Sequence, residues 1–301
     1  MKTLINTHRK EMLAAALGAV AMMVPLAGFC GEDIDKTLEM QADGLVLVEN
    51  LAGTIEFSTW DRSEVQVRGD AGDDVEEVEI TKTSKGVHIR VHNRKGGRHV
   101  DDTDLYLRIP EAASIEADSV SADITAIGSR GESILVNTVS GDLEIDASPK
   151  RLEMHSVSGD AEFEGSVTRS TTETVSGEIT LVGVAGEINV STVSGDVSLE
   201  AGEVTRGRFE SVSGDMTLAL SLEEGGRLSC DSMSGDVMLR LPESQQAEFT
   251  AQSYSGNINT DFGNSARVSR GPGVMLQHRE GDNGAQIRLE TFSGDLSIRS
   301  K

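Results

Sequence analysis

The stretch that decides the fold is Val193-Ser194-Gly195-Asp196-Val197-Ser198-Leu199. Apolar residues at 193, 197 and 199 alternate in it with polar residues at 194, 196 and 198. A period of two is typical of a β-strand with one buried face, and a helical period does not fit it. The alternation therefore predicts that the apolar residues of this stretch, Val193 included, point into a core.

The first four residues of this stretch form a phrase that returns along the chain. Copies begin at Val120, Val139, Val157, Val175, Val193, Val212, Met233, Tyr254 and Phe292. The third residue of each copy is Ala122 in the first and then Gly141, Gly159, Gly177, Gly195, Gly214, Gly235, Gly256 and Gly294. The steps between these third residues are 19, 18, 18, 18, 19, 21, 21 and 38. We interpret the last step as two turns of the chain, one of which has lost the phrase.

Repetition at this period predicts the architecture. A second short apolar stretch precedes the phrase, so that one repeat holds two strands and two corners. Such a unit cannot bury its own apolar face, and successive units must stack. The predicted fold is an all-β, single-chain parallel β-solenoid with a right-handed path favoured and about ten turns, each rising ~4.8 Å. A β-sandwich is the alternative, but it gives no reason for one phrase to return at every step.

Three further expectations follow from the same alternation. The glycines of the phrase fall on the inward side, which predicts a narrow core or a bend in the strand there. Tyr254 and Phe292 are predicted to fill the core rather than to stack on sugars. The last strand, over residues 296–299, is predicted to leave an open edge that another copy could join, although Arg299 and Lys301 oppose that pairing.

The chain divides into three segments. We predict a signal peptide over residues 1–30, a β-rich N-terminal cap region over 31–115 and the solenoid over 116–301. The first segment begins with basic residues and continues with an apolar run over 12–29, the pattern of a cleaved secretory signal. A retained membrane anchor is the alternative, because a run of about 18 apolar residues is near the minimum for a span.

The chain has two cysteines, Cys30 and Cys230. Cys30 suggests lipidation, which the bulky Phe29 before it opposes. Cys230 either pairs with Cys30 in an oxidising compartment or packs as a small buried hydrophobe. The sequence leaves these possibilities open.

A family resemblance rests on the serial phrases, on Val48-Glu49-Asn50 with Gly53-Thr54-Ile55, on Trp60-Asp61-Arg62 and on residues 105–110. These features resemble a bacterial family of extracytoplasmic β-strand-repeat proteins that carries the labels putative adhesin and domain of unknown function. The resemblance covers residues 44–300. It implies a secreted or periplasmic β-solenoid and supplies no catalytic residue.

The chain is strongly acidic, with 50 Asp and Glu against 27 Lys and Arg and a formal charge of −23. Such a surface repels phosphate backbones, which excludes a general nucleic-acid binder. Stacking would align the fourth residues of the phrase, where unit charges ~4.8 Å apart repel by about 1 kcal/mol in water. This row contains Asp142, Asp160, Glu178, Asp196, Asp215 and Asp236. Either cations such as Ca²⁺ bind along it, or each carboxylate accepts hydrogen bonds from Ser hydroxyls or backbone N–H groups.

Catalysis is a second possibility, because paired carboxylates can act as general acid and base. Stacking predicts that His155 lies one turn from Asn137 and Glu173, and that Glu144 lies one turn from Glu162. These residues obey the repeat, whereas a catalytic site should interrupt it. The sequence therefore predicts no enzyme and no cofactor beyond the possible Ca²⁺, with a polysaccharide-acting β-helix as the alternative.

Two segments do interrupt the repeat. Residues 82–99 are locally basic and form either a patch for anionic glycans or lipid headgroups, or a hairpin paired with nearby acids at 76, 77 and 79. Residues 261–286 form a Gly-rich excursion, a usual location for recognition, or else a looser turn without contacts. The candidate contact residues of the excursion are Arg267, Arg270, His278 and Arg279.

The functional prediction is a non-enzymatic, secreted or periplasmic interaction scaffold of the adhesin type. Its partner is expected to be an envelope or surface protein or a glycan, and the mature protein is not expected to span a membrane. Long acidic faces favour weak multivalent contact over one deep pocket. A divalent-cation-binding structural protein of the envelope is a further alternative.

Overall fold

The computed structural model describes residues 33–94, 101–267, 272–282 and 284–301. The regular elements in these residues are all β-strands. They are β1 (Asp33–Glu39), β2 (Leu45–Trp60), β3 (Glu64–Asp70), β4 (Val75–Lys82), β5 (Gly86–Asn93), β6 (Thr103–Pro110), β7 (Ser114–Ile127), β8 (Ser133–Thr138), β9 (Leu143–Ala147), β10 (Arg151–Ser158), β11 (Ala161–Ser176), β12 (Ile179–Ser194), β13 (Val197–Ser213), β14 (Met216–Ser234), β15 (Val237–Leu241), β16 (Ala247–Ser255), β17 (Ile258–Thr260), β18 (Ala266–Arg267), β19 (Val274–Glu280), β20 (Ala285–Ser293) and β21 (Leu296–Ser300). The predicted signal peptide, Cys30 and Arg270 lie outside the described residues.

Each coil that carries the phrase has two faces joined at the Ser-Gly-Asp corner. We call the strand segment before the corner face A and the segment after it face B. In the coil made by the end of β12 and the start of β13, Ile188, Val190 and Thr192 point inward on face A. Val197 and Leu199 point inward on face B. The two inward rows close on each other, and this buried interior is the core of the molecule.

Successive coils stack in parallel and in register. Ile179 pairs with Val197, and Val197 pairs with Met216 one coil further on. On face A, the buried Val190 pairs with Phe209 and Phe209 with Cys230. Like residues therefore lie over like residues, and the predicted parallel β-solenoid is confirmed.

The stack contains eleven coils within the described residues. Counted from one end, they are β5 with β6, β2, β7, β8 with β9, β10 with the start of β11, the end of β11 with the start of β12, the end of β12 with the start of β13, the end of β13 with the start of β14, the end of β14 with β15, β20 with β21, and β16 with β17. At ~4.8 Å per step, the stack is about 50 Å long.

The coils at the two ends are out of sequence order. β2 lies between the coil of β5 and β6, which comes later in the chain, and β7. At the other end, β20 lies between β14 and β16, and β21 lies between β15 and β17. From β15 the chain passes to the outermost coil, formed by β16 and β17, and then returns as β20 and β21 to the coil between that one and β14 with β15. The interpretation of the 38-residue step as two turns is therefore wrong.

The same insertion overturns the predicted open edge. Residues 296–299 belong to β21, which is paired on both sides. The outermost coils instead carry antiparallel strands: β3 pairs with β6 and β1 with β3, β4 pairs with β5, and β19 pairs with β16. Covering an edge in this way is how natural sheets avoid joining other chains. The described part of residues 31–115 thus supplies both capping strands and two coils of the stack.

The residue that begins each phrase points outward, contrary to the prediction. The inward alternation of face A ends at the buried Thr192, and Val193 beside it is 46% exposed. The chain then turns at Gly195. In this coil the even-numbered residues point inward on face A, and the odd-numbered Val197 and Leu199 point inward on face B. Tyr254 and Phe292, predicted to fill the core, are 40% and 63% exposed for the same reason.

Candidate functional site

The Ser-Gly-Asp corner is built on direct backbone contact between coils. A Cβ atom added at Gly195 would lie 1.9 Å from the carbonyl oxygen of Gly177. No side chain fits at that distance, so only glycine allows neighbouring corners to approach. The same contact, at 1.9–2.2 Å from a backbone oxygen, occurs at each glycine of the phrase: Gly141, Gly159, Gly177, Gly195, Gly214, Gly235, Gly256 and Gly294.

The fourth residues of the phrase form an outward row that we call the carboxylate ladder. The ladder consists of Asp123, Asp142, Asp160, Glu178, Asp196, Asp215, Asp236 and Asp295, and Asn257 ends it. The Oδ1 of Asp215 accepts a hydrogen bond of 2.8 Å from the backbone N–H of Asp236. Six further bonds of this kind, at 2.7–3.0 Å, link neighbouring members. The backbone N–H donors come from the next coil rather than from local turns.

The ladder presents single carboxylates, one in each of eight coils. Among the described residues, no three His, Cys, Asp or Glu side chains come together in a group that could hold a metal ion. None of the eight carboxylates makes an ion pair with another described residue. Binding of Ca²⁺ along this row stays a prediction.

Beside the ladder lies a row of exposed apolar side chains that we call the apolar ridge. In spatial order it consists of Val120, Val139, Val157, Val175, Val193, Val212, Met233, Phe292 and Tyr254. Each of these residues is 40–63% exposed. The backbone N–H of Ser158 donates to the carbonyl oxygen of Val139 at 2.8 Å, which holds the ridge positions of neighbouring coils in register.

The ridge becomes larger and aromatic at the end formed by the last coils. The rings of Tyr254 and Phe292 stack with their centroids 6.0 Å apart. Together with Val212 and Met233 they line a shallow groove of about 460 Å³. Aromatic residues and methionine are enriched at protein–protein contacts, so this end has the composition of an interface.

Carboxylates border the ridge on both sides. The carboxylate ladder lies three positions after it in each coil, and a second row lies two positions before it on face A. That second row contains Asp118, Glu173, Glu210, Asp231 and Glu290, interrupted by neutral residues and by His155. The ridge is therefore an apolar strip between two acidic strips.

The residues considered for catalysis lie where stacking predicted. His155 pairs in register with Asn137 and Glu173, and Glu162 pairs with Glu144. The Nδ1 of His155 lies 3.4 Å from a carboxylate oxygen of Glu173. All are outward members of regular rows, and one of them, Glu173, lines a shallow groove, of about 340 Å³, with Asn189 and Arg208.

The excursion over residues 261–286 contributes a capping strand. β19 runs antiparallel to β16, where Arg279 donates to Glu248 at 3.0 Å and His278 lies 3.0 Å from Glu280. Arg267 is exposed in β18. A recognition role for these residues stays a prediction.

The basic segment that begins at residue 82 has a structural explanation in its described part. β4 and β5 form an antiparallel pair in which Glu79 lies opposite Arg90. His92 bonds to Glu79 at 3.1 Å. This hairpin pairing is the alternative that the sequence left open beside an anion-binding patch.

Cys230 is completely buried in face A of β14 and makes no disulfide with another described residue, while pairing with Cys30, which lies outside the described residues, stays a prediction. Its Sγ lies 3.9 Å from the Sδ of Met216. Burial is the larger cause that raises the pKa of this thiol, and the nearby Asp231 is the smaller one. The group is therefore an inert part of the core.

The match that decides the family covers most of this architecture. The model of the Toastrack DUF4097 family matches residues 47–299. The chain belongs to the DUF4097 family. The match begins within β2 and ends within β21, so that the stack, including both out-of-order ends, lies inside this DUF4097 domain.

Solved structures similar to this DUF4097 chain come from several bacteria, each at 11% sequence identity. A putative adhesin from Bacteroides fragilis NCTC 9343 has a TM-score of 0.46, and the similarity covers 90% of this chain and 97% of that one. A putative lipid binding protein from Parabacteroides distasonis ATCC 8503 has a TM-score of 0.41, with 91% and 99% covered. A putative cell adhesion protein from Clostridium sporogenes ATCC 15579 has a TM-score of 0.24, with 90% and 100% covered.

A comparison with curated proteins gives no match. Across the described residues of this DUF4097 chain, no helix has the length and apolar character needed to cross a membrane.

Sequence reasoning missed the apolar ridge. The sequence did contain evidence for it, because Ile188, Val190 and Thr192 form one inward alternation that leaves Val193 outside. The prediction instead grouped Val193 with Val197, which treats the corner as a straight strand.

Proposed function

We propose that this DUF4097 protein is a non-enzymatic interaction scaffold that acts outside the cytoplasm, with the apolar ridge as its contact surface. The observation that carries the proposal is the exposure of an apolar side chain at one position in nine coils. Soluble monomers rarely expose long contiguous apolar surfaces, and those that do use them for contact. The solenoid supplies a rigid support for such a surface.

The charge around the ridge specifies the chemistry of the partner. Two rows of carboxylates border the apolar strip. Glu210 and Glu290 of the second row pair with arginines, but the carboxylate ladder makes no ion pair with a described residue, so a partner that brings apolar side chains must also tolerate a negative potential. A polypeptide segment with Lys or Arg beside its apolar residues meets both requirements. Another copy of this chain would bring apolar side chains, but its own charge of −23 would be repelled by the acidic strips.

Contact along the ridge is expected to be multivalent. Its rungs repeat about every 4.8 Å and each offers one modest apolar side chain. The aromatic end, with Met233, Phe292 and Tyr254, offers the largest area and is expected to contribute most to affinity.

The ridge proposal is tested with labelled peptides and the full chain. An amphipathic Leu/Lys peptide should bind, as followed by fluorescence anisotropy, and a Leu/Glu peptide of the same pattern should not. The double variant Met233→Ser/Phe292→Ser should weaken binding of the Leu/Lys peptide by about tenfold, which corresponds to about 1.4 kcal/mol.

The matched control removes exposed apolar area away from the ridge. Tyr106 and Ile127 are 46% and 52% exposed on face B. Neither control nor test variant alters charge, so general attraction to an acidic protein affects both alike. Equal weakening by Tyr106→Ser/Ile127→Ser and by the ridge variant would overturn the proposal.

Action outside the cytoplasm is supported by the signal-like segment over residues 1–30. The test is cell fractionation followed by N-terminal sequencing of the mature protein. A mature chain that starts near residue 30 in an extracytoplasmic fraction is expected. Recovery of the intact chain in the cytoplasm would contradict this part of the proposal.

A further inference from the structure

A notch on face A lies beside the aromatic end of the ridge, in the coils of β13, β14 and β20, and Glu290 borders both. Ser229 pairs in register with Arg208 on one side and Arg288 on the other. Because neighbouring coils are only ~4.8 Å apart, the short serine leaves a gap between two long arginine side chains. The resulting groove has a volume of about 570 Å³.

Two further arginines line the same groove. Arg206 and Arg227 are in-register neighbours two positions before Arg208 and Ser229. Arg206 lies 3.9 Å from Glu187, at the limit of an ion pair. Arg227 is exposed, and its guanidinium group makes no ion pair or hydrogen bond with any described residue. Four guanidinium groups thus line one groove in a chain whose net charge is −23.

The two arginines that flank the notch are held by acids on their own strands. Arg208 donates from Nε to Glu210 at 2.9 Å, and Arg288 donates from Nη2 to Glu290 at 2.8 Å. Each guanidinium has five N–H donors in a planar fork. These ion pairs therefore orient both side chains and leave further donors for a ligand.

The groove also contains groups that suit hydroxyls. Thr250 and Gln286 line it with Ser229, and the carboxylates of Glu248 and Glu290 stand at its border. Guanidinium groups recognise oxyanions, while carboxylates and amides accept hydrogen bonds from hydroxyls. The lining is thus mixed, with donors for an anion and acceptors for an alcohol.

We propose that this notch binds a short saccharide that carries one oxyanionic group, such as a uronate carboxylate or a sugar phosphate. The oxyanion lies against Arg227 and its neighbours, and the sugar hydroxyls lie toward Ser229, Gln286 and Glu290. A long polyanion is disfavoured, because it would extend from the notch over the acidic strips. The site adjoins the ridge at Glu290, but its ligand is distinct from the polypeptide partner proposed for the ridge.

The test is titration of the full chain by isothermal calorimetry or ligand-observed NMR. Glucuronate and glucose 6-phosphate should bind with dissociation constants of about 1 mM, near −4 kcal/mol, and glucose should bind at least tenfold more weakly. Inorganic phosphate is the probe for the anion alone. Phosphate binding as tight as that of glucose 6-phosphate would overturn the saccharide assignment.

Two variants separate the notch from general charge attraction. Arg227→Gln should weaken glucuronate binding by about tenfold, as expected for loss of one charge-assisted contact. Ser229→Arg adds a positive charge but fills the gap, so it should abolish glucuronate binding. If attraction by charge alone caused the binding, this variant would bind glucuronate more tightly. Circular dichroism and the melting temperature confirm that each variant remains folded.

The matched control is Arg240→Gln, which removes the same charge from an exposed arginine on face B of β15 that lies outside the groove and makes no ion pair with a described residue. It should leave glucuronate affinity unchanged. Equal losses in Arg240→Gln and Arg227→Gln, tighter binding by Ser229→Arg, or no binding of either charged sugar would overturn the proposal.

Discussion

The Oδ1 of Asp142 accepts a hydrogen bond of 3.0 Å from the backbone N–H of Asp160, one coil further along the stack. Asp142 in turn donates its own backbone N–H to the Oδ1 of Asp123 at 3.0 Å. Hydrogen bonds to charged groups contribute about 1.5–3 kcal/mol. Repulsion between exposed carboxylates one coil apart costs about 1 kcal/mol in water. The ladder therefore stabilises the stack although it carries like charges.

The first prediction separates these two contributions at Asp215, whose Oδ1 accepts from Asp236. Asp215→Asn keeps an acceptor oxygen and removes the charge, so its stability should lie within about 0.5 kcal/mol of the wild type. Asp215→Ala removes the acceptor and should lose about 1–2 kcal/mol. Urea unfolding measures both. Equal stability of the two variants would show that the hydrogen bond contributes nothing.

The second prediction concerns the close approach of backbones at the corner. The φ of Gly195 is outside the left-handed region, so only the missing Cβ explains the glycine there. Gly195→Ala should destabilise the protein by more than about 3 kcal/mol or prevent folding, because backbone lies where the methyl group would be. Soluble yield and urea midpoint are the measurements.

Gly202 offers the matched control for that substitution. A Cβ atom there would find its nearest neighbour 3.8 Å away, and the residue is exposed. Gly202→Ala should be neutral or stabilising by up to about 1 kcal/mol, through the entropy of the unfolded chain. If both alanine variants behave alike, steric exclusion is not the reason for the repeated glycine.

The solenoid itself could be predicted from the sequence because its cause is local and repeated. Eight of the nine phrases carry the glycine that permits stacking, with Ala122 in the first copy, and each neighbouring apolar pair supplies a layer of core. The side on which Val193 lies could not be inferred from alternation alone, since the turn at Gly195 changes the parity. Extending the face A alternation from the inward-pointing Thr192 to the next residue would have placed Val193, and with it the ridge, on the outside.

The order of the coils could not be predicted from the phrase. Phe292 precedes Tyr254 in the stack because the chain returns from the outermost coil, and nothing in either copy records that path. The notch depends on the same return, which brings Arg288 beside Ser229. A site made by two coils far apart in sequence is therefore visible only once the stacking order is known.

The third prediction is an acid-sensitive contact at Glu49. The hydrogen bond from Arg90 is the largest cause that lowers the pKa of this carboxyl below 4.5, opposed by burial and assisted by His88. Arg90 Nε and His88 Nε2 lie 2.8 Å and 2.9 Å from its oxygens. A lowered folded-state pKa means that the contact stabilises the protein above pH 4.5 and is lost as the pH falls below that value.

The corresponding measurement is the urea midpoint at a series of pH values from neutral to acid. The loss of stability below pH 4.5 should be smaller in Glu49→Gln than in the wild type, because the variant has no carboxylate there to protonate. Glu162→Gln changes an exposed carboxylate on face B and should reproduce the wild-type profile. Identical acid profiles for all three proteins would exclude a contribution from Glu49.

The fourth prediction concerns the thiol of Cys230. Because it is buried and its pKa is raised, it should not react with a thiol reagent in the native protein and should react fully in denaturant. The rate of labelling then reports opening of the stack. A denatured, unreduced full chain with no reactive thiol would instead indicate a bond between Cys230 and Cys30.

The fifth prediction tests the cap that the excursion supplies. Leu276 of β19 is fully buried where that strand covers the edge of β16, whereas Gln277 beside it points to solvent. Leu276→Asp should detach β19 and expose the unpaired edge of β16, which is the arrangement that lets sheets join end to end. Gln277→Asp introduces the same charge one residue away and leaves the packing intact. Light scattering coupled to size exclusion should therefore show concentration-dependent association for Leu276→Asp alone, since the remaining ten coils keep their own contacts. A monomeric, folded Leu276→Asp protein would mean that β19 is not what keeps this end of the stack from growing.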